Sequence, residues 1–294
     1  MSPTINQDGK GERTLSSTME QAGGPRPART LPPGSGQGDA SVLTRRIEEA
    51  NAAGRIAFIP FITAGFPSPA KFSAALRELD EGGADIIEVG VPFSDPVADG
   101  PVVEEASRRA LAAGTGLRGI LEELAADAAC RRAPVVLMGY YNPFLQYGLT
   151  RFAQDAAAAG VSGCIVPDLP VDEDGPLRAA LAARAVALIP LVGVNTSPAR
   201  MRAYARGAAG YVYLVSVLGV TGERAAFADE LAGAFTRAAG VFSLPLAVGF
   251  GFSGPEQLKN LPFRPQAVVV GSALLRFLDA GGSAADFIRK FFAD

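Results

Sequence analysis

Between residues 56 and 270 the chain repeats one pattern: a short, unbroken apolar run, then a longer stretch rich in Ala, Leu and Arg. The apolar runs fall at 56–62, 85–89, 135–138, 163–166, 187–191, 211–214, 245–248 and 267–270. Continuous runs of this length, without polar alternation, mark strands covered on both faces, which is the habit of a parallel sheet. Helical stretches near 69–82, 102–113, 117–130, 149–159, 173–184, 198–206, 225–239 and 255–260 lie between them, and 272–280 and 284–292 close the chain. Right-handed crossovers through such helices join parallel strands. Eight such units in about 250 residues predict an α/β fold of the (β/α)8 TIM barrel type. The alternative is a doubly wound open sheet, which usually carries a GxGxxG after its first strand; this chain has none there. A first amphipathic helix, capped by Asp39 or Ser41 and ending near Gly54, precedes the barrel. Residues 1–39 are polar and rich in Gly, Pro, Ser and Thr, with no hydrophobic period, and predict a disordered tail in which Met19 is a second candidate start. Residues 40–294 are then the catalytic barrel domain.

In a barrel, function gathers at the C-terminal ends of the strands. The second apolar run leads into EVGVPFSDPVADGP at 88–101, with three carboxylates, three prolines and no basic residue. Ile86-Ile87-Glu88-Val89 sets a carboxylate inside an apolar run, where burial without a partner is costly. Carboxylates kept in such surroundings usually act on something, with pKa values pushed apart by their environment. Glu88, Asp95 and Asp99 are therefore the first candidates. Tyr140 and Asn142 follow the third run, Asp168 the fourth, Thr221-Gly222 the sixth, Gly249-Phe250-Gly251 the seventh and Gly271-Ser272 the eighth.

What is missing narrows the chemistry further. The chain has no histidine, which excludes Ser-His and Cys-His nucleophile systems, histidine bases and the usual zinc sites, so no metal is expected. Its four lysines, Lys10, Lys71, Lys259 and Lys290, avoid the ends of apolar strands, where a Schiff-base lysine would sit. Cys130 and Cys164 are far apart in sequence and read as buried free thiols of a cytoplasmic protein. A net charge of −3 gives no electrostatic case for nucleic acid or an anionic membrane. No apolar run reaches the length of a membrane span, and the N-terminus lacks a signal-peptide core.

The last strand ends supply a second site element. Barrels often bind phosphate after strands 7 and 8, through backbone N–H groups and a helix N-terminus. Gly251 and Gly271-Ser272 offer that, Ser253 can cap the short helix after Gly251, and Gly222 can close a third side. Among Phe61, Tyr140, Tyr213, Phe250 and Phe252, two or three can line a slot for a flat apolar group. A phosphate cradle, two carboxylates and an apolar slot can cleave a carbon–carbon bond if the substrate brings its own electron sink.

Seven motifs then coincide with one family. PFITAGFP at 60–67, the stretch from Glu88 to Pro101, MGYYNP at 138–143, VPDLP at 166–170, GVTG at 219–222, GFGFS at 249–253 and VGSAL at 270–274 resemble, in order and spacing, the tryptophan synthase alpha chain family. The resemblance covers residues 41–294 and implies retro-aldol cleavage of indole-3-glycerol phosphate to indole and glyceraldehyde 3-phosphate, in the last steps of tryptophan biosynthesis. It makes Glu88 the proton-transfer residue, Asp99 the anchor of the indole N–H, and Tyr213 an aid near the glycerol or the ring. Phe61, Tyr140 and Phe250 would wall the indole, Thr221 would belong to a loop whose closure excludes water, and Gly222, Gly251, Gly271 and Ser272 would take the phosphate.

The same resemblance implies a beta chain as partner in an alpha2-beta2 complex. Pyridoxal phosphate is expected only in that partner, and the barrel is expected to hold no cofactor. The loop at 92–98, with Pro92 and Asp95, and the Asn142-Pro143 turn resemble the docking elements. Departures from the family pattern are Glu104 where many relatives carry Gln, GVNT at 193–196, Val217 and Leu218 in the sixth loop, and the long tail. The alternative function is a stand-alone indole-3-glycerol phosphate lyase that releases free indole, and a further alternative is a non-catalytic barrel that only activates a beta chain.

Overall fold

The structure, a computed structural model, describes residues 40–215, 224–249 and 255–292. Its strands are β1 Ala57–Thr63, β2 Ile87–Gly90, β3 Val135–Met138, β4 Val161–Ile165, β5 Ala187–Leu188, β6 Leu191–Gly193, β7 Val212–Val215, β8 Leu246–Gly249 and β9 Ala267–Val270. All pair in parallel, in the order β5-β4-β3-β2-β1-β9-β8-β7-β6.

Nine strands stand where eight apolar runs were read, and the reason is one residue. β5 and β6 are two parts of a single stave interrupted at Ile189-Pro190, because proline has no N–H to give the ladder. The interruption also closes the sheet. The Ile189 N–H donates to the Cys164 carbonyl on β4 at 2.9 Å, and the Pro190 carbonyl accepts from the Tyr213 N–H on β7 at 3.0 Å. The stave thus joins both ends of the strand order, giving the eight-staved barrel.

The helices are α1 Ala40–Ala52, α2 Pro69–Glu81, α3 Pro101–Ala112, α4 Leu117–Asp127, α5 Tyr141–Tyr147, α6 Leu149–Ala158, α7 Gly175–Ala182, α8 Pro198–Ala205, α9 Arg224–Ala239, α10 Pro255–Lys259, α11 Ser272–Asp279 and α12 Ala284–Phe292. Proline stands in the first turn of α2, α3, α7 and α8, where its missing N–H costs nothing. Every residue of β1, β2, β4, β8 and β9 is buried, as the unbroken apolar runs require.

Three sequence readings change. α5 was not foreseen: its seven residues bury only Phe144, too little for a periodic signal, and Gly148 at φ 89° ends it. α1 begins at Ala40, so Ser41 lies inside it, while Asp39 and the tail at 1–39 fall outside the described residues. Cys130 is exposed in the turn after α4 rather than buried; Cys164 is buried in β4, and burial pushes its thiol up.

Candidate active site

Asp85 and Glu88 show two ways of burying a carboxylate. Asp85, just before β2, is 5% exposed and fully engaged: Arg55 reaches it with two nitrogens at 2.5 and 2.6 Å, and the Phe58 N–H donates at 2.8 Å. Glu88, inside β2, is 0% exposed, and neither carboxylate oxygen has a hydrogen-bond partner among the described residues. Burial, and then the charge of Asp99, push its pKa from the ordinary 4.5 to about 8. At neutral pH such a group holds its proton and stands ready to deliver it.

Glu88 lies level with Phe61 on β1 and Val136 on β3. Two tyrosines, one just before β7 and one within it, lie within electrostatic reach of it. Burial, followed by the charge of Glu88, raises the hydroxyls of both Tyr211 and Tyr213 well above their usual range. Tyr213 was expected; its hydroxyl lies over Gly249 at the end of β8, where a Cβ would collide with it. Tyr211 was missed. It is fully buried and its hydroxyl has no partner among the described residues. The available signal was the Tyr-Val-Tyr spacing, since residues two apart in a strand share a face.

Phe61 spans the same end of the barrel. A Cβ at Gly90 would stand 2.6 Å from its Cζ, and one at Gly271 would stand 3.1 Å from its Cδ1. Both glycines therefore make room for a ring, in keeping with an apolar wall.

Asp99 is half-buried on the loop after β2. Burial raises its pKa, the hydrogen bond from the Tyr140 hydroxyl lowers it, and the nearby Glu104 carboxylate raises it. Tyr140 is 3% exposed; its oxygen also accepts from the Ala98 N–H at 3.0 Å, and its ring stacks on Phe93 with centroids 5.0 Å apart. Tyr140 thus ties down the loop carrying Asp99 besides lining the slot. Asp168, in contrast, is exposed and accepts from the Tyr141 N–H at 2.9 Å, so it caps the first turn of α5.

Gly271 precedes α11 and Ser272 opens it, and Gly271, having no side chain, does not cap the first turn. The leading N–H groups of such a helix suit an anion. Thr221, Gly222, Phe250 and Gly251, together with Val217, Leu218, Phe252 and Ser253, lie outside the described residues. Glu88, Tyr213 and Phe61 lie within β2, β7 and β1, while Asp99, Tyr140, Gly271 and Ser272 follow the C-terminal ends of β2, β3 and β9.

The expected docking residues fall on the same side. Pro92 is buried, Asp95 is exposed and accepts from the Ser94 hydroxyl at 2.5 Å, Asn142 is exposed and Pro143 half-buried on α5. Two apolar side chains on these segments were overlooked: Val97 is 81% exposed and Leu145 47%. Among the described residues, Phe292 is the one other large apolar side chain so exposed.

Comparison with known proteins gives a consistent result. Residues 47–290 match the family model described as tryptophan synthase alpha chain. The tryptophan synthase alpha chain of Nitratidesulfovibrio vulgaris strain DP4 is 62% identical over 252 residues, spanning 86% of this chain and 98% of that one. That of Desulfovibrio desulfuricans is 60% identical over 253 residues, spanning 85% and 99%. Among solved structures, tryptophan synthase subunit alpha from Legionella pneumophila str. Paris superposes with a TM-score of 0.75 at 32% identity, covering 84% of this chain and 94% of the other. Tryptophan synthase from M. tuberculosis in its aminoacrylate-bound form superposes at 0.76 and 32% identity, covering 85% and 99%.

Proposed function

The chain belongs to the tryptophan synthase alpha chain family and is an enzyme of the lyase type, and from that premise we propose that it cleaves indole-3-glycerol phosphate to indole and glyceraldehyde 3-phosphate. The observation that carries this reading is Glu88: sealed in the barrel, unpartnered at both oxygens among the described residues, and with its pKa pushed up to about 8.

The chemistry follows from that carboxyl. Glu88 gives its proton to indole C3, and the ring becomes an indolenine with positive charge at nitrogen. The carboxylate then takes the proton of the glycerol hydroxyl next to the scissile bond. The bond electrons return to the ring, which leaves as indole, and the former hydroxyl carbon leaves as the aldehyde. One proton enters and one departs, so Glu88 ends as it began. Asp99 accepts the ring N–H and opposes the charge that builds there, and positioned groups of this kind contribute factors of roughly 10²–10⁴ each. Tyr213 assists beside the reacting carbon, while Phe61, Tyr140 and Phe250 hold the ring. The first-turn amides of α11, with Gly271 and Ser272, take the phosphate together with Gly222 and Gly251, and Thr221 closes over it.

We also propose a beta chain as partner, docked on the 92–98 loop and α5 through Pro92, Asp95, Asn142 and Pro143, in an alpha2-beta2 assembly. Exposed Val97 and Leu145 support this, because apolar side chains this open on adjoining segments are the usual core of an interface. The barrel is proposed to work without pyridoxal phosphate, which belongs to the partner, and to act in the cytoplasm. No helix among the described residues is long and apolar enough to cross a membrane. The relatives compared carry the alpha-chain description, which favours the subunit over a stand-alone lyase. The test is release of indole and glyceraldehyde 3-phosphate in equal amounts from indole-3-glycerol phosphate, with and without a beta chain. Stimulation by the partner is expected. Full activity alone with no complex on gel filtration supports the stand-alone enzyme instead, and no indole under either condition refutes the reaction.

A further inference from the structure

The two faces of β1 keep different company. Phe58 turns outward, its ring centroid 5.1 Å from that of Phe291 on α12. Side chains alternate along a strand, so Ala57, Ile59, Phe61 and Thr63 share the opposite face, toward the barrel interior. Phe61 agrees with this placement. It lies level with Glu88 on β2, and its ring reaches Gly90, where a Cβ would stand 2.6 Å from Cζ. Thr63 is one step further along the same face, level with Gly90 itself. Its backbone is tied down: the Ala64 N–H donates to the Gly90 carbonyl at 2.9 Å, and the Thr63 carbonyl accepts from the Phe66 N–H at 3.1 Å. The side chain is not. Thr63 is 1% exposed, and its Oγ1 has no hydrogen-bond partner among the described residues. Buried hydroxyls are normally satisfied, as Thr44 is by the Gly210 carbonyl at 2.6 Å. Valine would fill nearly the same space without the cost of an unpaired hydroxyl.

Thr63 stands between the two halves of the site. β1 pairs on one side with β2, which carries Glu88, and on the other with β9, which leads into Gly271 and Ser272. A substrate with its reacting carbon at Glu88 and its phosphate on the first turn of α11 must therefore cross the end of β1. In a glycerol phosphate chain, the carbon that makes this crossing carries a hydroxyl. On the interior face of β1, Ala57, Ile59 and Phe61 are apolar, and Thr63 is the side chain able to hydrogen-bond. We propose that the Thr63 hydroxyl binds the middle hydroxyl of the substrate's glycerol chain and selects for substrates that carry it. This rests on the reading of the chain as a lyase acting on indole-3-glycerol phosphate. Glu88, which must meet that substrate, is closed from solvent to the same degree, so closure does not set Thr63 apart from the site. A site built around a substrate hydroxyl rejects an analogue lacking it, because the protein's own group is then left unpaired.

The experiment is indole release by the full unsubstituted chain, Thr63→Val and Thr63→Ser, with circular dichroism to verify folding. Each is given indole-3-glycerol phosphate and, separately, the analogue that lacks only the middle hydroxyl. On the full substrate, Thr63→Val is expected to lose roughly 5- to 10-fold in kcat/KM, the worth of one neutral hydrogen bond, while Thr63→Ser keeps most of the rate. On the analogue that loss disappears. Thr63→Val is then as fast as the unsubstituted chain or faster, since only the latter leaves a hydroxyl unpaired. A Thr63→Val rate within about twofold of the unsubstituted chain on the full substrate overturns the inference. So does an equal loss on both substrates, which a purely structural role would give. If Thr63→Val fails to fold, Thr63→Ala takes its place in the same comparison. Failure of the unsubstituted chain to release indole from the full substrate refutes the functional reading itself, a different result.

Discussion

The hydroxyl of Tyr211 and the carboxyl of Glu88 are both sealed inside the barrel, and neither has a hydrogen-bond partner among the described residues. The charge of Glu88 adds to burial in raising the tyrosine, which places the two groups within electrostatic reach of each other. Unpaired polar atoms in a barrel interior are destabilising. Their joint survival in the barrel interior is what a region built for a substrate rather than for stability would show.

Tyr211→Phe deletes a buried hydroxyl that makes no hydrogen bond among the described residues. Its melting temperature is expected to equal or exceed that of the unsubstituted chain, because removing an unsatisfied group does not cost stability. Its kcat is expected to fall by up to about tenfold if the hydroxyl joins the Glu88 proton path only when substrate is bound. Thermal denaturation and steady-state rates measure both; a melting temperature lowered by several degrees contradicts the unpaired geometry.

The pH dependence of stability tests Glu88 directly. Its carboxyl is raised from 4.5 to about 8, so the folded chain holds a proton that the unfolded chain has released between those values. Stability from this group is therefore complete below pH 4.5, declines as pH rises, and levels off above about 8. Glu88→Gln cannot ionise and escapes the decline. Urea unfolding should show the variant gaining on the parent from pH 5 to 8, by on the order of 2–4 kcal/mol at the upper end. A constant difference across that range would mean that Glu88 ionises normally.

Asp85 gives the opposite case. Arg55→Ala leaves its buried carboxylate with only the Phe58 N–H, and a broken buried pair costs about 2–4 kcal/mol here, given that Arg55 is itself partly exposed. The loss is to appear in urea midpoints, while kcat per folded molecule stays unchanged because the pair sits at the entrance of β2, before the catalytic end. An equal fall in kcat would tie Asp85 to the site.

The exposed pair on the docking segments makes a fourth prediction. Val97→Asp and Leu145→Asp replace open apolar surface, so folding is expected to be preserved to within about 0.5 kcal/mol. Binding to a beta chain, followed by calorimetry, is expected to weaken at least tenfold for each. Unaltered affinity in both variants would place the interface elsewhere.

The barrel was legible because its signal is repeated. Eight apolar runs are hard to satisfy any other way, and the single disagreement, the break at Ile189-Pro190, is a proline removing one N–H from a stave that still closes the sheet. Glu88 was legible for the reason it is unusual, a carboxylate within Ile-Ile-Glu-Val. Other features could not be read so. α5 is too short to show a period, and the bond from the Ala98 N–H to the Tyr140 hydroxyl joins residues forty-two apart. Tyr211 could not be singled out, since orphaned hydroxyls appear only when packing is known. Cys130 misled because cysteine is usually buried, while here it falls in a turn.

The most direct test of the account is indole release by Glu88→Gln from saturating indole-3-glycerol phosphate, alongside binding of a non-cleavable indole phosphate analogue. Gln fills the same space without a proton to give. The account predicts a fall in kcat of at least about 10³-fold with analogue affinity changed less than about threefold. A kcat within tenfold of the unsubstituted chain would contradict the assignment of proton transfer to Glu88.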